Sequence, residues 1–376
     1  MKKIGIVGYG KMGKEIFQFY YPQCKNTAFV VYCRHDNELH EAELNKTLQK
    51  MLRRKRISEE TFAFQQKNIY FTDCWQEFSD CDMVIESAVE NLDVKKSIFS
   101  QLEQIVSDKC LLLTNTSSLP IDRIFRNMLH PERCFGLHYF YPLKLTGFAE
   151  LNLLPENNSS DVKPVYDWVA AHGKQPLIFH EPYHMYLNQF LFTAISAGLY
   201  FHDESGCTID TLENEFRKYF PIGGLFGLID SIGLKLLTES ADSFYIKRLM
   251  ELKKYGVSVM TNWVSSGVSE EPNTFLSSIR EREKDLPDKE IPFPTESIIA
   301  LLMNEAIYAA EECEAEPQLL LEALQDTVGL AEPFSEYFKL FGAERLMALT
   351  AELHEKAPLL FPEPNTLNHW KKYYDI

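Results

Sequence analysis

Three glycines near the start of the chain have the spacing of a loop that binds phosphate groups. Gly8, Gly10 and Gly13 follow a short apolar run and precede a helical pattern. In such a loop the first glycine makes a tight turn, the second lets the backbone approach a pyrophosphate, and the third allows the helix to pack closely on the strand. The helix N-terminus then presents backbone N–H groups to the phosphates. The pattern predicts a dinucleotide-binding loop made of Gly8, Gly10, Lys11, Met12 and Gly13.

A basic residue stands where this kind of loop is usually followed by an acidic one. About 20 residues after the glycines, an acidic side chain ordinarily accepts a hydrogen bond from the ribose of NAD. Here the apolar run 29–33 ends at Arg34, which cannot accept that bond but can pair with the 2′-phosphate of NADP. Lys11 could add to this contact, whereas Asp36 could bind the ribose instead. We therefore expect NAD or NADP as the cofactor, with NAD slightly favoured.

The first half of the chain has the alternating pattern of a sheet with crossover helices. Amphipathic helical patterns cover residues 38–56 and 94–106. Short apolar runs before, between and after them predict strands at 4–7, 29–33, 69–72, 83–86, 111–114 and 133–138. Strands that alternate with helices are typical of a parallel sheet. We expect an α/β Rossmann-like domain over residues 1–182.

The second half has a different pattern, in which strand signals largely vanish. Helices are predicted at 186–200, 225–237 and 298–310, and a segment rich in Ser, Glu, Lys and Pro at 264–294 predicts a linker. The run 226–234 also has a faint counterpart at 337–346. We expect an all-α C-terminal region made of two related helical units, residues 183–263 and 295–376.

Composition and charge exclude several classes of function. No stretch reaches the ~18 to 20 uninterrupted apolar residues that a membrane span needs, and the first apolar run is interpreted as a buried strand rather than a signal peptide. A net charge of −16 disfavours nucleic acid and anionic membranes as partners. The eight cysteines form no CxxC pair and no metal-binding spacing, which is typical of reduced thiols. A cytoplasmic protein without a metal site is expected.

Several longer motifs resemble the L-3-hydroxyacyl-CoA dehydrogenase family. Residues 114–121 read TNTSSLPI where the family has SNTSSL, and residues 135–142 read FGLHYFYP where it has GLHFFNP. Residues 84–92 and 148–150 also match, and residues 221–233 resemble the family's PMGPFELLDxxG. The likeness extends over about residues 3 to 240. It implies an oxidoreductase that interconverts a 3-hydroxyacyl and a 3-oxoacyl thioester of coenzyme A, with NAD(P)(H) as cofactor.

The resemblance also implies a domain organisation and an oligomeric state. The second helical unit looks like a second, diverged copy of the family's C-terminal domain, as found in multifunctional fatty-acid oxidation enzymes. Relatives with one copy generally pair through it as homodimers. Two copies in one chain could pair internally, so a monomer is expected.

The same resemblance assigns roles to individual residues. His138 matches the catalytic base and Glu150 its orienting carboxylate, a pairing that suits proton transfer near neutral pH. Ser117 and Asn188 match residues that bind the substrate, and Glu90 and Lys95 match cofactor contacts. Arg54 and Lys55, within a basic run at 53–56, fall where the family binds the CoA 3′-phosphate, although a solvated helix end explains such a run equally simply.

Several departures from the family fall together. The asparagine of GLHFFNP is Tyr141, the Pro-Gly before the helix of Asn188 is Tyr183-His184, and a cofactor-contacting lysine is Val257. The GxGFY signature reads MTNW at residues 260–263. Two alternatives therefore stand beside a 3-hydroxyacyl-CoA dehydrogenase. One is a dehydrogenase of a free hydroxy acid or a carrier-bound 3-hydroxyacyl chain, and the other is a cofactor-binding protein that has lost catalysis.

Overall fold

The chain folds into two compact units, Met1–Tyr183 and His184–Ile376. The structure is a computed structural model, and it describes residues 1–180, 185–241, 249–287 and 289–374. The expected boundary between residues 182 and 183, and the Tyr183-His184 departure, lie outside the described residues.

The first unit is built on one eight-stranded sheet with the order β3-β2-β1-β4-β5-β6-β7-β8. The strands are β1 (Lys3–Val7), β2 (Ala28–Tyr32), β3 (Ile69–Thr72), β4 (Met83–Glu86), β5 (Leu111–Thr114), β6 (Cys134–Tyr139), β7 (Phe148–Asn152) and β8 (Gln175–Phe179). Strands β1 to β6 are mutually parallel, β7 pairs antiparallel with β6, and β8 pairs parallel with β7. The first six strands match the predicted ones to within a residue, whereas β7 and β8 were not predicted.

Six helices accompany this sheet. They are α1 (Lys11–Tyr20), α2 (Asn37–Arg53), α3 (Glu59–Asn68), α4 (Leu92–Glu103), α5 (Ile121–Phe125) and α6 (Ser159–Ala171), with short 3-10 helices at Trp75–Phe78 and Pro131–Arg133. The prediction of a helix at 38–56 is wrong at its end, because Arg54 leaves the helix and Lys55 adopts a left-handed conformation (φ 54°). The helix predicted at 94–106 begins earlier, at Leu92, because Asn91 caps its first turn through its side chain.

The described part of the second unit is helical. Its helices are α7 (Tyr186–Ser205), α8 (Ile209–Phe216), α9 (Leu225–Ile232), α10 (Leu234–Ala241), α11 (Met250–Ser265), α12 (Phe275–Glu283), α13 (Ser297–Glu312), α14 (Pro317–Val328), α15 (Phe334–Phe341), α16 (Ala343–Lys356) and α17 (Leu367–Tyr374). Helix α7 contacts α9, α11, α13 and α14. None of the helices in the described ranges combines the length and apolarity that a membrane crossing requires. The first unit is thus a Rossmann-like α/β domain, and helices follow it.

Two predictions for this unit differ from the structure. The single helix expected at 225–237 is two helices, because Gly233 takes a positive φ of 90° between α9 and α10. The segment 264–294 includes α12, which packs on α8 and α9 and buries Ile279. Glu283 at the end of α12 accepts a hydrogen bond from His202 Nε2 (2.8 Å), so this segment is tied to α7.

The proposed relation between the two helical units has a local counterpart in the structure. Gly342 separates α15 from α16 with φ 77° and ψ 149°, much as Gly233 separates α9 from α10 with φ 90° and ψ 138°. Asn304 is the eighth residue of α13, whereas Asn188 is the third of α7. The Asn304 side chain donates to the Glu363 carbonyl and accepts a hydrogen bond from the Asn365 backbone N–H, a structural role. The division into two related units stays a prediction.

Candidate active site

The glycine loop joins β1 to α1 and has the backbone that a dinucleotide requires. Gly8 has φ 97°, and a Cβ there would lie 2.6 Å from the carbonyl oxygen of Ser87. A Cβ on Gly13 would overlap the Gly8 carbonyl oxygen, so neither position admits a side chain. A Cβ on Gly10 would meet no atom within 4 Å, and no side chain caps the N-terminus of α1. The loop therefore leaves open space beside uncapped N–H donors, which fits a pyrophosphate.

The side chains of Met12 and Lys11, the two other predicted residues of the loop, have different environments. Met12 is half-buried and packs against the hydrophobic core. Lys11 is exposed, and its Nζ lies 3.7 Å from the ring centroid of Tyr141, which follows β6. Arg34 is exposed two residues beyond the end of β2, and β2 and β6 lie on opposite sides of β1 in the sheet. This placement of Lys11 does not support the expectation that it assists Arg34.

His138 and Glu150 face each other across two neighbouring strands. They are direct partners in the antiparallel register of β6 and β7, and His138 Nδ1 lies 3.0 Å from Glu150 Oε2. The His138 side chain is 5% exposed and that of Glu150 is fully buried. The strand pairing thus brings together two residues that stand 12 positions apart. A buried carboxylate that accepts a hydrogen bond from Nδ1 orients the imidazole. In that tautomer the hydrogen is on Nδ1, so Nε2 is the ring nitrogen that can accept a proton.

Asn115 is a positioning residue that was not predicted. It lies just beyond β5, and its Oδ1 accepts a hydrogen bond from the backbone N–H of Tyr139 (3.0 Å). Its own backbone N–H donates to the Glu86 carbonyl (2.7 Å). Asn115 therefore links the ends of β4, β5 and β6 immediately beside His138.

Glu90 holds the segment that carries Ser117. Its Oε1 accepts hydrogen bonds from the backbone N–H groups of Ser117 (2.9 Å) and Ser118 (3.0 Å) and from the hydroxyl of Thr116 (2.6 Å). The Ser117 hydroxyl lies 3.4 Å from the same oxygen. Burial opposes the charge of Glu90, but Lys95 and these hydrogen bonds together hold its pKa below the usual value. Glu90 is thus an ionised anchor for the segment 116–118.

Lys95 lies beneath this segment and is almost fully buried. Its Nζ donates to both carboxylate oxygens of Glu86 (2.8 and 3.0 Å) and lies 3.3 Å from Glu90. Glu86, which is fully buried, also accepts hydrogen bonds from the Thr114 hydroxyl (2.7 Å) and the Ala88 N–H (2.6 Å). The structure places Lys95 as a bridge between two carboxylates. Glu86 escaped prediction because a glutamate that ends an apolar strand gives no periodic signal.

The remaining predicted substrate contacts are Arg54, Lys55 and Asn188. Arg54 and Lys55 are exposed in the turn after α2, and neither belongs to an ion pair among the described residues. Asn188 is half-buried near the start of α7, in the second unit. Its role stays a prediction.

Residues that depart from the family motifs in α11 serve packing in the second unit. Met260 is fully buried, and Trp263 stacks on Phe275 with ring centroids 5.4 Å apart. The lost signature therefore coincides with a hydrophobic contact between α11 and α12.

Comparison with known proteins shows what the first unit is similar to. Residues 3–181 match the model of the 3-hydroxyacyl-CoA dehydrogenase NAD-binding domain. The first unit therefore matches the NAD-binding domain of that family. A 3-hydroxybutyryl-CoA dehydrogenase of Bradyrhizobium diazoefficiens is 26% identical over 236 residues, which are 62% of this chain and 80% of that protein. The alpha subunit of the fatty acid oxidation complex of Vibrio parahaemolyticus is 26% identical over 242 residues, or 63% of this chain. That match spans only about a third (34%) of the Vibrio subunit.

Solved structures have the same fold. A 3-hydroxybutyryl-CoA dehydrogenase from Escherichia coli superimposes with a TM-score of 0.76 at 16% identity, over 99% of this chain and 98% of that one. The (S)-3-hydroxybutyryl-CoA dehydrogenase from Ralstonia eutropha gives a TM-score of 0.62 at 21% identity, over 72% of this chain and 96% of that one. At these identities the likeness establishes the fold alone.

Proposed function

We propose that this protein is an NAD(P)-dependent 3-hydroxyacyl-CoA dehydrogenase that interconverts 3-hydroxyacyl and 3-oxoacyl thioesters. The buried His138–Glu150 pair, at the edge of the sheet that carries the glycine loop, is the observation on which the proposal rests. A base beside a dinucleotide site is the arrangement that oxidation of a secondary alcohol needs.

His138 is the proposed general base. Its Nδ1 donates to Glu150, so Nε2 accepts the proton of the 3-hydroxyl group. The O–H bond breaks as a carbonyl forms at C3. NAD(P)⁺, when bound, would accept the hydride that leaves C3. Glu150 stabilises the imidazolium that results, and in the reductive direction the same proton returns to the oxygen.

Ser117 and Asn188 are proposed to hydrogen-bond the substrate. Glu90 fixes the backbone of the Ser117 segment, and the hydroxyl, which lies 3.4 Å from Glu90 Oε1, would turn from that oxygen to donate to the reacting oxygen. For Asn188 this role rests on the resemblance alone.

NAD is the favoured cofactor because the matching domain is described as NAD-binding. NADP stays the alternative, because Arg34 is exposed just beyond β2 and carries the charge that a 2′-phosphate requires. Either cofactor would be held by the backbone of the glycine loop.

Coenzyme A is the proposed acyl carrier, with Arg54 and Lys55 pairing with its 3′-phosphate. Both cations are exposed on a chain whose net charge is −16, so they offer an anionic ligand a local positive site.

We place the enzyme in the cytoplasm, where the eight free thiols would stay reduced. We also infer a monomer, because the two helical units of one chain could pair with each other.

Turnover of a thioester panel tests the proposal. Purified protein should oxidise NADH or NADPH with acetoacetyl-CoA and should be much slower with free acetoacetate or with the acyl group on a carrier protein. Full activity on acetoacetate alone would instead favour a hydroxy-acid dehydrogenase. Cofactor binding without turnover of any substrate would favour a protein that has lost catalysis.

A further inference from the structure

Lys11 and Tyr141 form a contact that neither the glycine motif nor the family motif contains. The Lys11 ammonium lies 3.7 Å from the centroid of the Tyr141 ring, well within the range of a cation–π interaction. Tyr141 itself is 54% exposed, so the ring is not held by burial in the core. The pair joins the first residue of α1 to a residue three positions beyond His138.

The contact places a positive charge beside the glycine loop of an acidic protein. The first turn of α1 contains no acidic residue and no capping side chain, so the ammonium is not neutralised there by its own helix. A flexible lysine side chain ordinarily samples many rotamers, and an aromatic face that holds its ammonium reduces the entropy lost when the charge is used. Because Tyr141 follows β6, the ring restrains the lysine on the His138 side of the loop and away from Arg34.

We propose that Lys11 is the cation for the cofactor's pyrophosphate and that the Tyr141 ring positions it there. The ring holds the ammonium beside the uncapped N-terminus of α1, where the free backbone N–H groups of the loop lie. The pair acts on every dinucleotide equally, because both NAD and NADP contain the pyrophosphate, and it leaves the choice between them to Arg34. This inference rests on the proposed dinucleotide function.

Direct binding measurements on the full chain test the pair without relying on turnover. Dissociation constants for NADH, NADPH, ADP-ribose and AMP are measured by titration calorimetry for the wild type, Lys11→Met, Tyr141→Phe, Tyr141→Leu and the double variant Lys11→Met/Tyr141→Leu. Lys11→Met should weaken the three pyrophosphate ligands by about tenfold, a typical loss for one charge-assisted hydrogen bond. AMP, which has no pyrophosphate, should be unaffected. Tyr141→Phe, which keeps the ring, should stay within about twofold of the wild type.

The two residues should also depend on each other. As a single variant, Tyr141→Leu should weaken the binding of the pyrophosphate ligands by about two- to fivefold. It should have no further effect when Lys11 is already methionine. Equal affinities of wild type and Lys11→Met, a loss confined to NADPH, or additive losses in the double variant would each overturn the inference. A wild type that binds none of the dinucleotides would instead refute the proposed function.

Discussion

Replacement of Lys95 by methionine tests whether this lysine is primarily a structural bridge or a cofactor contact. Methionine has a similar length but no charge, so Lys95→Met removes the ammonium between Glu86 and Glu90 with little loss of volume. Glu86 is fully buried and Lys95 is 1% exposed, so the remaining carboxylate has no access to water. We expect the protein without cofactor to be strongly destabilised.

The burial of the pair sets the magnitude. Removing one partner of a buried ion pair costs about 3–5 kcal/mol, because the other charge stays buried and uncompensated. For a domain the size of the first unit this lowers the midpoint of thermal unfolding by about 6–20 °C. Adding Glu86→Gln removes the stranded charge, so Lys95→Met/Glu86→Gln should recover part of the loss.

Thermal and urea unfolding of the protein without cofactor measure the effect, with Lys96→Met as the matched control. Lys96 is the next residue and is only half-buried, so its variant should differ from the wild type by less than about 1 kcal/mol. A Lys95→Met protein as stable as this control, with weakened cofactor binding, would refute the bridging role and restore Lys95 as a simple cofactor contact.

The same variant should change the acid sensitivity of the protein. Glu90 has a pKa below its ordinary value, so its contribution to stability is present above the unfolded pKa and is lost as the pH falls through the folded pKa. Without Lys95 this lowering is smaller. The decline in stability below about pH 4.5 should therefore be shallower in Lys95→Met than in the wild type. Parallel pH profiles would contradict the stated origin of the Glu90 pKa.

Three further predictions concern cofactor choice, substrate and stability. Arg34→Ala should weaken NADPH by about tenfold and leave NADH within twofold; equal effects on both cofactors, measured by fluorescence titration, would remove Arg34 from the cofactor site. Arg54→Ala/Lys55→Ala should raise KM for acetoacetyl-CoA but not for a pantetheine thioester, which lacks the 3′-phosphate; unchanged KM for both would place the CoA elsewhere. Although burial opposes it, the hydrogen bonds that the His202 ring donates to the carboxylates of Asp203 and Glu283 raise the pKa of His202 to about 9. Its contribution to stability is therefore full below about pH 6.5 and is lost as the pH rises through 9. His202→Gln should flatten urea stability over that range, and a curve parallel to the wild type would contradict this origin.

Much of the sheet could be predicted because its central strands have an unmistakable composition. Strands β1, β4 and β5 are buried on both faces, and such strands read as continuous apolar runs. Strand β7 was missed because it contains two fully buried polar residues, Glu150 and Asn152, which interrupt any apolar pattern. Strand β8 includes Pro176, which weakens a strand prediction.

The motifs in the sequence identified residues of the site but did not predict how those residues contact one another. The resemblance assigned His138 and Glu150 as partners, but a separation of 12 residues along the chain does not by itself predict that two side chains are in contact. Their contact depends on the antiparallel register of β6 and β7, which is a long-range property. Similarly, Lys95 was expected to contact the cofactor, and nothing local indicates that a buried Glu86 would bind its ammonium.

The central claim is that His138 is the base of a dehydrogenase, and a single variant tests it most directly. For His138→Ala, kcat with acetoacetyl-CoA and the dissociation constant of the reduced cofactor are measured on the same preparation. We expect kcat to fall by about 100- to 10,000-fold, the usual contribution of a general acid–base, while cofactor binding stays within about twofold of the wild type. A variant that keeps the wild-type rate would contradict the account.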